Sequence, residues 1–109
     1  MNEIINLPAN FIGKEDRKKL ESFGGHTIAH GRATRWHWGK DTDGSDVFEI
    51  YRGGEEHILT VRVSRDRQLD AFYAQDAAGQ LLASGKLEHV FAELDAYFMG
   101  LHGETPDLS

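Results

Sequence analysis

Cysteine is absent from the 109 residues. That excludes disulfides, thiolate zinc sites and a cysteine nucleophile together. Basic charge is in deficit, with 12 Lys+Arg against 18 Asp+Glu and a formal net charge of −6. This balance argues against a broad cationic footprint for nucleic acid and leaves room only for a local basic patch. No stretch approaches the ~18 apolar residues of a membrane span. The opening Met1–Asn6 carries neither the basic region nor the apolar run of a secretory leader, so cytoplasm is the expected compartment. Internal repeats and low-complexity tracts are missing too. The hydrophobic fraction of 39% beside 28% charged residues suits one folded domain. Its expected span is 1–102, with Gly103–Ser109, which holds Pro106 and two acids, as a flexible tail.

Signatures of familiar chemistry are lacking as well. Gly24-Gly25 and Gly53-Gly54 are isolated pairs, and neither a dinucleotide-binding glycine pattern nor a P-loop occurs. No nucleophile-elbow serine is present. Asp41-Thr42-Asp43-Gly44-Ser45-Asp46 resembles the start of a calcium loop. Setting Gly44 at the sixth position, however, puts Gly39 first and Ile50 twelfth, where a glutamate is needed. It reads as a polar hairpin loop. The six histidines contain no H-E-x-x-H. His26 and His30 fall on an expected strand, where that spacing separates them by about 13 Å, too far to share an ion. No metal and no cofactor is expected. Arg62, Arg65 and Arg67 form a basic knob, but no triplet of exposed aromatics accompanies it, so nucleic acid is disfavoured.

What is there is a pattern of elements. Leu87, Val90, Phe91, Leu94, Tyr97, Phe98 and Leu101 trace one face of a 3.6-residue period. They predict a long C-terminal amphipathic helix, with Ser84 as its candidate cap. A charged segment predicts an N-terminal helix over Lys14–Phe23, stopped by Gly24-Gly25. Between them lie five candidate strands, His26–Trp38, Val47–Arg52, His57–Ser64, Leu69–Gln75 and Gln80–Ser84. The short turns Gly53–Glu56, Arg65–Gln68 and Ala78-Gly79 join antiparallel neighbours. The fold class is therefore α+β: a five-strand antiparallel meander flanked by an N-terminal helix and a C-terminal helix packed on one face.

A hairpin at Gly53–Glu56 pairs Arg52 with His57, Ile50 with Leu59 and Phe48 with Val61. The next turn pairs Val61 with Phe72 and Leu59 with Ala74. Both place Phe48, Ile50, Leu59, Val61, Val63, Phe72 and Ala74 on one side, joined there by Trp36 and Trp38. A one-residue slip would scatter that set. Trp36, Phe48, Leu59, Val61, Phe72, Phe91 and Leu94 are thus expected deep in the core.

The opposite face reads Arg35, His37, Val47, Glu49, Tyr51, Ile58, Thr60, Arg62, Ala71, Tyr73 and Gln75. Tyrosine and arginine are the residues enriched at interfaces. Arg35, His37, Glu49, Tyr51, Ile58, Thr60, Arg62 and Tyr73 are accordingly the candidate partner or ligand face. An open sheet face does not exclude water, which counts against catalysis there. The expectation is a small non-enzymatic interaction module that self-associates, as a dimer, or binds a different protein. The alternative is a small-molecule binder or modest enzyme with a pocket between sheet and helices, lined by Trp36, Trp38 and Tyr97.

Overall fold

The computed structural model describes residues 11–53, 58–66 and 68–101. Its elements run α1 (Lys14–Ala29), β1 (Arg35–Lys40), β2 (Asp46–Arg52), β3 (Ile58–Asp66), β4 (Ala71–Asp76), β5 (Leu81–Gly85) and α2 (Leu87–Leu101). The strands form one antiparallel sheet in the order β1-β2-β3-β4-β5. Both helices lie on the same face of it. Leu20 and Phe23 of α1 join Leu87, Val90, Leu94 and Phe98 of α2 in one core with Phe48, Ile50, Val61, Val63, Phe72 and Ala74. The expected α+β meander with its two terminal helices is the fold. The expected flexible tail, His57 and Arg67 lie outside the described residues.

The glycine pair does not stop α1. The helix continues through it to Ala29, so the segment expected to open the first strand is helical. Packing explains this: Leu20, Phe23, Gly24 and Thr27 make the buried stripe of the helix. A Cβ on Gly24 would stand 2.6 Å from Trp36 Cδ1 and 2.9 Å from Phe48 Cζ. Gly24 is thus the point where helix backbone meets sheet aromatics. The true stop is Gly31, with φ +74. Its N–H donates to Ile28 O at 2.9 Å and that of Arg32 to Thr27 O at 3.0 Å. These two bonds satisfy the last helical carbonyls in a Schellman arrangement.

The pairing of β3 departs from the expected register. Phe48 faces Val63 and Ile50 faces Val61, but Tyr51 faces Leu59, leaving Thr60 as one extra residue in β3. This bulge turns Leu59 to the side of Tyr51 and takes Thr60 off the outer face. Thr60 is buried and Leu59 only half-buried, the reverse of the expectation. Between β3 and β4, Val63 faces Ala74 and Arg65 faces Phe72. That differs from the expected register by an even number of residues, so the faces survive. Trp36 and Phe91 are half-buried at the margin of the core rather than deep within it. Ser84 is no cap. It stays in β5 opposite Tyr73, and the first helical bond of α2 runs from Val90 N–H to Lys86 O at 3.0 Å.

Candidate functional site

Because both helices take one face, the other face of the sheet is roofed by neither. Register places Arg35 and His37 of β1, Val47, Glu49 and Tyr51 of β2, Arg62 of β3 and Tyr73 and Gln75 of β4 on it, as expected. The bulge substitutes Leu59 for Thr60 and moves Ile58 opposite Arg52. Ile58 is exposed, while Thr60 lines a small cleft with Leu59, Tyr97 and Leu101 under the end of α2. A second irregularity, between β4 and β5, sets Leu81 opposite Gln75, where it is exposed. Leu59 and Leu81 therefore belong to this face although plain alternation points them inward. Only the bulges move them, and a bulge leaves no compositional mark in these strands.

Over β1–β3 the face is a connected polar layer centred on Glu49. The Glu49 carboxylate, 15% exposed, stands 2.8 Å from His37 Nε2 and 3.6 Å from Arg62 Nε. Tyr51 donates its hydroxyl proton to the same carboxylate at 3.0 Å. His37 Nε2 also lies 3.2 Å from the Tyr51 hydroxyl. The other ring nitrogen, Nδ1, donates to the Trp38 carbonyl at 3.0 Å. The Arg35 guanidinium stacks over the Tyr51 ring at 4.9 Å. Asp41, from the β1–β2 loop, approaches Arg62 Nη2 at 3.8 Å. Sequence spacing gives no hint of that last contact, because it depends on how the loop folds back. On the same face Val47 is fully buried, apart from the main core, and Ser64, opposite Tyr73, is buried too.

This network engages its own members. Burial pushes the Tyr51 hydroxyl above the ordinary tyrosine range; its bond to Glu49 and that carboxylate's charge act the same way, against Arg35 and Arg62. A phenol so placed holds its proton and serves as a donor. Glu49 accepts the Tyr51 hydroxyl proton with His37 and Arg62 close beside it, and both nitrogens of His37 are in contact with partners. The arrangement orients side chains and pairs charge.

A larger concavity lies on the helix side. The stacked rings of Phe23 and Phe91, 4.6 Å apart, floor an open groove of about 620 Å³ between α1 and α2. Lys18, Lys19, His26 and Asp95 stand along it. The pocket of Trp36, Trp38 and Tyr97 that would favour the alternative reading does not form as a unit. The two tryptophan rings rest on Phe48 at 5.4 and 4.9 Å, while Tyr97 packs edge-on against Phe98. Among the described residues no group of three or more His, Asp or Glu is placed to hold a metal ion, and no helix is long and apolar enough to cross a membrane. No protein-family model, no curated protein and no solved structure matches the chain.

Proposed function

We propose that the protein is a non-catalytic interaction module of the cytoplasm whose working surface is the sheet face away from the two helices, and that its partner there is a second copy of itself. The observation that carries this reading is the pairing of charge within that face. Arg62 stands 3.6 Å from Glu49 and 3.8 Å from Asp41, and Arg35 lies on the Tyr51 ring. Burying an unpaired arginine costs several kcal/mol, whereas charges already compensated lose far less on leaving water. Around this layer Tyr73 and the exposed Leu81 supply apolar area suited to an interface. A face bearing both charge signs is self-complementary about a two-fold axis.

Light scattering and analytical ultracentrifugation test the proposal. The wild type is expected as a dimer at micromolar to millimolar concentration. Tyr73→Glu, on β4 with its side chain half-buried on the open face, should yield a monomer with an unchanged circular dichroism spectrum. Thr60 is unsuitable for this purpose, since a charge there would enter the protein interior. A wild-type monomer throughout that range would refute self-association.

A further inference from the structure

We propose that His26 and His30 form a two-imidazole chelate for a divalent transition-metal ion, Cu²⁺ most tightly and Ni²⁺ or Zn²⁺ after it. On the strand expected from sequence these residues would be about 13 Å apart. The helix brings them together. They sit at i and i+4 at the C-terminal end of α1, on one side, with ring centroids 4.2 Å apart and planes tilted by 48°. Both are exposed, so an ion can reach them without displacing packed side chains. Two histidines one helical turn apart are the pair that the helical zinc motif H-E-x-x-H uses. That motif's sites gain a third protein ligand elsewhere, and among the described residues none is in place here. Water would complete the coordination. Two nitrogen donors with solvent favour metals in the order that peaks at Cu²⁺, and offer nothing to Ca²⁺ or Mg²⁺, which seek oxygen.

The electrostatic setting has two sides. Lys18 and Lys19 line the groove that His26 borders and oppose a cation. The negative end of the helix dipole attracts one. Across the groove Asp95 is engaged by Arg32 at 3.6 Å.

Chelation would also act on the helix itself. The segment that precedes and spans the pair holds Gly24, Gly25, Thr27 and Ile28, all poor helix formers. The two imidazoles are close only while 26–30 is helical. An ion that needs both therefore binds the folded chain and not the unfolded one, and stabilises α1 where its intrinsic propensity is lowest. The pair lies on the helix side, away from the sheet face proposed for self-association, so either proposal can fail alone.

The test uses the full chain free of any histidine tag, titrated with CuCl₂, NiCl₂, ZnCl₂ or MgCl₂ and followed by calorimetry and thermal unfolding. One equivalent of Cu²⁺ is expected to bind and raise the melting temperature, with smaller rises for Ni²⁺ and Zn²⁺ and none for Mg²⁺. His26→Ala and His30→Ala should each abolish the response. The milder His30→Gln should do the same if the alanine variant unfolds. His89→Ala, at an exposed position on α2, should leave it intact. Absence of binding by the wild type, or a copper response that survives both His26 and His30 substitutions, would overturn the proposal.

Discussion

Two adjacent glycines in α1 make opposite demands. A Cβ on Gly24 would collide with Trp36 and Phe48, whereas one on Gly25 would meet nothing within 4 Å. Alanine is the better helix former at both by roughly 0.5–1 kcal/mol. Gly25→Ala should therefore stabilise the protein by about that amount. Gly24→Ala should destabilise it by about 1–3 kcal/mol, the usual penalty for overpacking. Urea unfolding midpoints that move in opposite directions would confirm the assignment; equal shifts would refute it. The same pair shows why the sequence is misleading at this point. By local chemistry Gly-Gly is a helix stop, and only the sheet aromatics beneath Gly24 make it part of the packing face. Gly31 follows His30 without a second glycine to draw attention to it, yet it closes the helix.

At the scale of elements, Asp46 fastens the start of α1 to the first hairpin. Its buried carboxylate accepts from Ile12 N–H at 2.9 Å and Lys40 Nζ at 2.6 Å, with Arg17 Nη1 at 3.4 Å. Burial alone would push its pKa up. The Lys40 and Ile12 hydrogen bonds and the charges of Lys40 and Arg17 outweigh burial and hold it below the ordinary aspartate range. Asp46 hence contributes stability in full above about pH 4, and that contribution is lost as pH falls through the lower value of the folded state. Asp46→Asn should lower stability at pH 7 by about 1–3 kcal/mol. It should also flatten the acid limb of the stability profile measured by chemical denaturation below pH 4. An identical acid limb in the variant would contradict this. The Arg17 guanidinium that reaches Asp46 also lies 4.1 Å over the Trp38 ring, and Trp38 Nε1–H donates to Glu21 at 2.8 Å. These contacts hold a highly charged helix on the sheet with few apolar anchors.

For the molecule as a whole, the core lies where the two periodicities meet. Phe98 and Leu94 are fully buried, whereas Phe91 sits at the groove, stacked on Phe23. Phe98→Ala should cost about 3–5 kcal/mol, and Phe91→Ala clearly less. Comparable losses from the two in urea titrations would refute this ranking. The strand order, the extent of α2 and the inward set Phe48, Ile50, Val61, Val63, Phe72 and Ala74 were legible in sequence, because alternation and 3.6-residue spacing are properties of the chain itself. The site was legible as a face: Arg35, His37, Glu49, Tyr51, Arg62 and Tyr73 share it. Its internal geometry was not. Glu49 as hub, Asp41 folded over Arg62, and the exchange of Thr60 for Leu59 depend on a loop path and a bulge. The nearness of His26 to His30 was hidden by the same error that ended α1 too early.

The order β1-β2-β3-β4-β5 has a kinetic consequence. Every strand is bonded to its neighbour in the chain, across turns as tight as that of Asp76 to Gln80, where Asp76 N–H donates to Gln80 O at 3.0 Å. Loop closure is cheap for such pairings, and hairpins of this kind form in roughly 1–10 μs. The contacts that span the chain are few: Phe23 on Phe91, Lys19 near Glu88 and Arg32 near Asp95. A sheet whose strands each pair with their chain neighbours keeps those contacts short in sequence, which favours fast folding. Interactions made only after the sheet has paired, those of α2 on β4 and β5 among them, slow unfolding without speeding folding, so the docking of the helices on the sheet bears on how long each folded molecule lasts.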